Sequence, residues 1–163
     1  ETVRGYNTYA KMNPPLRTWK DVQALKDGLR DGTIDAIATD HAPHASQEKQ
    51  LGFTEAPFGI VGLETALPLT FALVDEGVLS LELAVDKLST APAKAFGLAK
   101  GTLAVGADAD VAIVDQQEQW EVDPAKFRSK SRNTPFAGWK VKGRVTTTIV
   151  GGRVVFEAAQ AEP

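Results

Sequence analysis

Apolar positions in the first hundred residues alternate between helical and strand-like spacing. From residue 18 to residue 30 they follow helical spacing, which predicts a helix with Thr18 as its N-cap and Gly32 as its stop. The apolar run that follows at once, residues 33–39, predicts a strand. Alternation of helices and strands is typical of α/β folds.

A loop and three more helices are predicted after this strand. Residues 46–59 are polar and punctuated by glycine and proline, which predicts a loop over the strand end. Residues 61–76 have one apolar face and predict a helix, with a kink at Pro68. A further helix is predicted from Ser80 to Thr90, with Ser80 as its cap, and a short one from Ala91 to Gly97.

The pattern changes after residue 100, where only strands and turns are predicted. Residues 111–114 predict a strand, and residues 145–150 and 153–156 flank Gly151 and Gly152. Two consecutive glycines between apolar runs predict a β-hairpin, because both accept a positive φ. The second part of the chain is therefore predicted to be all β.

This change divides the chain into two predicted domains. We expect residues 1–98 to supply strands and helices of an α/β barrel and residues 99–163 to form part of a small β unit. Neither piece has enough strands to close by itself. The predicted fold class is α/β.

Composition removes several classes of function. The chain has 163 residues, 43% of them hydrophobic and 24% charged, as in soluble globular proteins. Its net charge of −3, with Lys and Arg scattered along the sequence, argues against nucleic acid as a partner. No apolar run is long enough to span a bilayer, and the first residues lack the pattern of a signal peptide. We expect a cytoplasmic protein that binds no membrane.

The segment from Thr39 to His44 carries the candidate chemistry. The chain has 2 histidines and 0 cysteines, and both histidines lie here beside Asp40. A carboxylate at the end of a barrel strand can bind a metal ion and transfer a proton, although Asp40 alone also fits a turn cap. A zinc site needs three or four ligands, so the remaining ligands are expected from elsewhere.

Five other residues are weaker candidates. His41 is interpreted as a packing histidine, and His44 as a group that binds a substrate carboxylate or carbonyl, or else as a solvated loop residue. Asn13, which precedes two prolines, offers an amide for a ligand or forms a turn. The backbone of Phe58 and Gly59 offers hydrogen-bond donors or simply turns into the next helix.

Several motifs together resemble one known family. These motifs are Lys11–Arg17, Ala38–His44, Glu48–Lys49, Ala56–Thr65 and Asn133–Phe136. With them the chain is similar to bacterial class I dihydroorotases, cyclic amidohydrolases of pyrimidine synthesis, over nearly its whole length. The family's first-strand His-x-His pair and its other metal ligands would precede Glu1, so we expect this chain to be the C-terminal portion.

The resemblance implies a fold, a cofactor and a reaction. The fold would be the C-terminal part of a metal-dependent hydrolase (β/α)8 barrel plus part of a small β-sandwich domain. The reaction would be the reversible cyclisation of N-carbamoyl-L-aspartate to L-dihydroorotate at two zinc ions held mainly by residues outside this chain. Asp40 would be a zinc ligand and proton shuttle, and Asn13, His44 and the Phe58-Gly59 backbone would bind substrate.

Two alternatives stay open. One is a non-catalytic dihydroorotase-like scaffold that supports a transcarbamoylase, and the other is a hydantoinase or allantoinase. The expected partners are the substrate pair and the N-terminal part of the same enzyme, while a homodimer and a complex with aspartate transcarbamoylase remain open. We expect no activity from this segment alone, because half a barrel leaves strand edges unpaired.

Overall fold

A computed structural model describes residues 2–158 and confirms that the chain combines helices with a β-sheet. None of the helices in this range is long and apolar enough to cross a membrane. In chain order the main elements are α1 (Trp19–Asp31), α2 (Ser46–Lys49), α3 (Ala66–Asp75), α4 (Leu81–Val85), α5 (Ala91–Ala95), β1 (Val111–Glu121), β2 (Lys140–Val150) and β3 (Arg153–Glu157). Short 3-10 turns lie at Thr8–Ala10 and Pro124–Lys126.

Helix α1 forms where the apolar spacing predicts it. The hydroxyl and the backbone N–H of Thr18 both donate to the carboxylate of Asp21, at 2.6 and 2.9 Å. These two bonds, and to a lesser extent the charge of Arg17, lower the pKa of Asp21. The helix ends before Gly32, whose φ of 86° lies in the region that favours glycine. Both predicted ends are confirmed.

The strand predicted at residues 33–39 is not observed. Within residues 2–158 the strands that pair are β1, β2 and β3, and this segment joins no ladder. Its backbone binds nearby groups instead: the N–H of Ile37 donates to the Lys87 carbonyl at 3.0 Å, the Lys87 ammonium donates to the carbonyl of Ile34, and the N–H of Ile34 donates to the carbonyl of Gly28 at 2.9 Å. An apolar run becomes a strand only when a neighbouring strand supplies its backbone partners.

Two predictions before residue 80 are wrong in detail. The loop 46–59 contains one helical turn, α2, and α3 begins at Ala66 instead of residue 61. Val61 is held outside the helix because its N–H donates to the carbonyl of Asn133 at 3.0 Å. Pro68 therefore lies in the first turn of α3, where a missing N–H has no cost, and no kink is needed.

The helices after residue 80 follow the prediction. The Ser80 hydroxyl accepts the N–H of Leu83 at 3.1 Å and caps α4. A wide π turn at Asp86–Thr90 leads into α5, and Gly97, with a φ of 65°, follows it.

The β-sheet has the order β1-β2-β3. Strands β2 and β3 are antiparallel, with Val150 opposite Arg153 and a bulge at Thr148 and Ile149. Gly151 and Gly152 connect them with φ values of 55° and 76°, so the predicted hairpin is confirmed. Strands β1 and β2 are longer than predicted.

The described chain forms two units by internal contacts. Unit 1 contains residues 2–25, 38–66 and 120–141, and its core contains Val61, Val122 and Phe127. Unit 2 contains residues 26–37, 67–119 and 142–158, and its core contains Val78, Leu79 and Ala84. The predicted domains, 1–98 as the C-terminal part of a barrel and 99–163 as part of a small β-sandwich, stay a prediction, and residues 159–163 lie outside the described part. All candidate site residues belong to unit 1.

Candidate active site

Asp40 occupies an unusual backbone conformation at the start of the candidate segment. Its φ is 45°, in the left-handed region that Asp tolerates better than most residues but that still costs about 1–2 kcal/mol. Such conformations cluster at functional sites. The residue is exposed, and no described side chain binds its carboxylate. The carboxylate is therefore free to bind an ion or exchange a proton.

His41 contacts the loop that precedes α3. Its Nδ1 accepts the N–H of Gly62 at 3.1 Å. An accepting Nδ1 carries no proton, so the neutral ring has its proton on Nε2. Gly62 also lies close to Thr39: a β-carbon added to Gly62 would lie 3.0 Å from the Thr39 side chain and carbonyl oxygen. The ring thus helps to hold residues 39–41 against residue 62.

His44 and Phe58 are brought together by the fold. The Nε2 of His44 lies 2.9 Å from the carbonyl oxygen of Phe58, so it is Nε2 that donates in this contact. The Nδ1 of His44 lies 3.8 Å from the carboxylate of Glu48. The His44 side chain is 26% exposed. The imidazole is therefore oriented by the protein and still reachable by a ligand.

Gly59 is buried, and its backbone groups are already engaged. Its N–H donates to the carbonyl of Lys11 at 2.9 Å, while its carbonyl accepts from the Lys49 ammonium at 3.1 Å and from the Asn133 amide at 3.3 Å. The adjacent Phe58 side chain is 50% exposed. The prediction that this backbone binds a ligand stays a prediction.

Asn13 is exposed, and the segment that contains it contacts Gly59, which is distant in sequence, through Lys11. Its peptide bond to Pro14 is cis, and its side chain has no recorded partner within residues 2–158. Lys11, two residues earlier, binds Gly59 through its carbonyl. The structure records no bond between Asn13 and Asp40 or His44, and its predicted role in substrate binding stays a prediction.

Two buried lysines support the segment that ends at Gly59. The Lys49 ammonium, in a residue 1% exposed, donates to the carbonyls of Pro57 and Gly59 at 2.9 and 3.1 Å. The Lys11 ammonium, in a residue 8% exposed, donates to Ala56 at 2.6 Å. Burial, and secondarily the charge of Lys11, lower the pKa of Lys49. Sequence gives no signal for these roles, because lysine is rarely buried.

Glu64 is a further acid near His41. Its carboxylate accepts from the N–H and hydroxyl of Ser129 at 2.8 and 2.6 Å. Burial alone raises the pKa of the Glu64 carboxyl, but the Ser129 bonds, its own backbone N–H and His41 outweigh burial and lower it. Its second oxygen, Oε2, is buried without a hydrogen bond.

Asn133 joins the segments that carry these groups. It is 2% exposed, and its side chain bonds to His44, Ala42 and Gly59. From sequence it is only part of a motif, since an Asn before Thr-Pro is typical of a turn.

The described residues do not form a metal site by themselves. No group of three or more His, Asp or Glu side chains within residues 2–158 is placed to hold an ion. Asp40 offers one exposed carboxylate, which fits a metal only as a member of a larger ligand set.

Comparison with known proteins decides the family. A model of the amidohydrolase family matches residues 13–155. The chain belongs to the amidohydrolase family. This amidohydrolase chain is 58% identical over 157 residues to the dihydroorotase of Geobacter metallireducens and 56% identical over 156 residues to that of Syntrophotalea carbinolica. Both matches cover 96% of the chain but 37% of the relative, so the chain spans little more than a third of their length.

Solved amidohydrolase structures have the same fold over this length. The L-hydantoinase (dihydropyrimidinase) from Arthrobacter aurescens superposes with a TM-score of 0.88 at 38% identity, covering 96% of this chain and 36% of that one. The dihydropyrimidinase from Brevibacillus agri gives 0.86 at 32% identity, covering 92% and 34%. These likenesses confirm the predicted fold class, α/β and part of a hydrolase barrel.

Proposed function

We propose that the protein containing this chain is a dihydroorotase that interconverts N-carbamoyl-L-aspartate and L-dihydroorotate in pyrimidine synthesis. The observation that carries this proposal is the 58% identity to a dihydroorotase over 96% of the chain. The candidate residues support it, because the exposed carboxylate of Asp40 and the oriented imidazole of His44 belong to one short segment, residues 39–44. A group that transfers protons and a group that binds the substrate are both needed to open and close a cyclic amide.

Asp40 is proposed to transfer the proton. In ring opening, its carboxylate takes a proton from the attacking water and passes it to the departing amide nitrogen. In ring closure, the same carboxyl begins protonated and gives its proton to the departing hydroxyl group. The absence of a competing hydrogen bond among the described residues leaves the Asp40 oxygens available for both directions.

Asp40 is also proposed as one ligand of a zinc centre whose other ligands lie outside this chain. Zinc, when bound, lowers the pKa of water and polarises a carbonyl group. Two ions are proposed, as the family resemblance implies. A contribution from Asp40 alone is consistent with this arrangement, because the described residues include no group of three or more side chains that could hold an ion.

Substrate binding is proposed for the neighbouring groups. With Nε2 of His44 donating to the Phe58 carbonyl, Nδ1 is the ring nitrogen left for substrate, as an acceptor in the neutral ring and as a donor to a carboxylate or carbonyl in the charged one. The amide of Asn13 and the backbone at Phe58 and Gly59 complete the proposed set. A reachable imidazole in a fixed orientation costs less ordering on binding than a free one.

A second candidate is a hydantoinase or another cyclic amidohydrolase. The structural likeness to the Arthrobacter aurescens L-hydantoinase, with a TM-score of 0.88, favours this reading. A third candidate is a non-catalytic scaffold for a transcarbamoylase. A homodimer, an aspartate transcarbamoylase partner and a cytoplasmic location are separate proposals.

The test uses the complete protein. Turnover of dihydroorotate, hydantoin and allantoin is measured side by side, and zinc is determined by elemental analysis. We expect turnover of dihydroorotate far above the other two, with stoichiometric zinc that a chelator removes together with activity. Preferred turnover of hydantoin would assign the second candidate, and a folded protein without zinc or turnover would assign the scaffold.

A further inference from the structure

The Asn133 side chain is a buried junction between two segments of unit 1. Its Oδ1 accepts the N–H of His44 at 3.2 Å. Its Nδ2 donates to the carbonyls of Ala42 at 2.9 Å and Gly59 at 3.3 Å. The Asn133 carbonyl accepts the N–H of Val61 at 3.0 Å. One residue therefore binds both sides of the gap between residues 42–44 and 59–61.

The chemistry of this junction matches an amide group. Two carbonyl oxygens need donors, and one backbone N–H needs an acceptor, and an amide supplies both from one planar group. A carboxylate in its place would face the oxygens of Ala42 and Gly59 with negative charge. At 2% exposure, no water replaces a lost bond without rearrangement.

The two joined segments carry the proposed substrate groups. His44 ends one segment, and Gly59, next to Phe58, begins the other. Between them, the N–H of Ala42 donates to the carbonyl of Ile60 at 2.8 Å. The Ser131 hydroxyl adds a second tether to His44, donating to its carbonyl at 2.7 Å. Loss of the amide thus removes the Asn133 side-chain bonds that help to hold His44 beside the turn that orients its imidazole.

We propose that Asn133 is a positioning residue for substrate binding: its buried amide sets the separation of His44 from the Phe58-Gly59 turn without touching substrate. This inference rests on the proposed function, in which these groups bind dihydroorotate. Asp40 precedes the clamped segment and is not bonded to Asn133. Loss of the Asn133 amide is therefore expected to weaken substrate binding more than it slows proton transfer.

The experiment compares two variants of the complete protein. Asn133→Ala removes the amide, and Val78→Ala truncates a buried side chain in the core of unit 2 as a control for lost stability. We expect Asn133→Ala to raise KM for dihydroorotate about tenfold or more with kcat within about threefold, a change that follows from sub-ångström misplacement. Val78→Ala should lower Tm but leave KM unchanged. An unchanged KM in Asn133→Ala overturns the inference, and so does an equal rise in both variants.

A milder variant covers the case in which Asn133→Ala does not fold. Ser131→Ala removes the hydroxyl group that donates to the carbonyl of His44, which is the other side-chain tether of this residue. We expect a rise in KM of about twofold to fivefold, equivalent to a fraction of one hydrogen bond. No rise in KM for Ser131→Ala then overturns the premise of the inference, that the side-chain tethers of His44 set substrate binding.

Failure of the proposed function gives a different result. In that case the unaltered protein does not turn over dihydroorotate, and the same variants are assayed with whichever cyclic amide it hydrolyses. If it hydrolyses none, amide hydrogen exchange decides: faster exchange at residues 42–44 in Asn133→Ala, relative to Val78→Ala, supports the clamp, and equal exchange overturns it.

Discussion

Gly59 approaches Ala42 so closely that a β-carbon added to Gly59 would lie 2.6 Å from the β-carbon of Ala42. Gly59 also has a φ of 97°, where side chains other than glycine are strained. The two residues stand on the two segments that Asn133 joins. The distance between these segments is therefore set by the absence of a side chain as well as by the amide.

Gly59→Ala should destabilise the protein and weaken substrate binding. Gly32→Ala is the matched control, because Gly32 has a similar φ of 86° but nothing within 4 Å of the added carbon. The backbone strain of about 1–2 kcal/mol is common to both, so the difference in unfolding free energy measures the contact with Ala42. We expect Gly59→Ala to lose at least about 1 kcal/mol more in denaturant titrations. Equal losses would show that the loop moves away without cost.

Asp40→Asn should abolish turnover in both directions and leave folding intact. The side chain is exposed and unbonded among the described residues, so its replacement removes proton transfer without breaking a contact. We expect kcat to fall by about a hundredfold to ten-thousandfold. Asp35→Asn changes another exposed carboxylate nearby in sequence and should retain activity. Steady-state kinetics on the complete protein decide, and activity retained by Asp40→Asn excludes this residue as the proton carrier.

Lys49→Met should lower stability although it removes a buried charge. Methionine fills similar space but leaves the Pro57 carbonyl without its donor, and Gly59 keeps only the Asn133 amide as a side-chain donor. We expect a loss of about 1–3 kcal/mol in the free energy of unfolding. Lys20→Met, at an exposed position of α1, should change it little. A Lys49→Met protein as stable as the parent would mean that burial of the ammonium costs as much as its bonds contribute.

Glu64 should make stability depend on acid pH. Its folded-state pKa is lowered, so the carboxylate stabilises the fold at pH values above its ordinary range near 4.5, and this contribution is lost as pH falls through the folded pKa. Tm measured from pH 7 down to pH 3 should therefore show Glu64→Gln less stable than the parent at neutral pH and converging with it in acid. Glu55→Gln, at an exposed site, is the control. Parallel curves for Glu64→Gln and the parent would contradict the prediction.

Features that depend on neighbouring residues in sequence were predictable. Thr18 precedes α1 and donates to Asp21 three residues later, Ser80 caps α4 by accepting the N–H of Leu83, and Gly151 and Gly152 close a hairpin by their own φ angles. Each signal involves residues close together in sequence, so the sequence contains all the partners that matter. The segment from Thr39 to His44 can also be singled out from sequence, because a clustering of acid and imidazole needs no knowledge of the fold, and its role in the site stays a prediction.

Features that depend on distant partners were not predictable. Residues 33–39 have the composition of a strand but pair with none among residues 2–158, and composition cannot report a missing neighbour. Lys49 and Asn133 act through contacts with remote carbonyls, while their residue types favour the surface or a turn. The start of α3 was missed for a related reason. Pro68 is a local signal for a helix start, but the bond from the Val61 N–H to the Asn133 carbonyl, which keeps Val61 outside α3, joins residues that are distant in sequence.

The junction at Asn133 spans 89 residues from His44 and 91 from Ala42. During synthesis, the ribosome releases Asp40 and His44 well before the residue that unites their surroundings, and loop closure of this length is slow to form. The Asp40 carboxylate thus exists first without the contacts that Asn133 makes around it. A nascent chain that stalls before residue 133 would contain Asp40 and His44 but lack the side chain that joins residues 42–44 to Gly59.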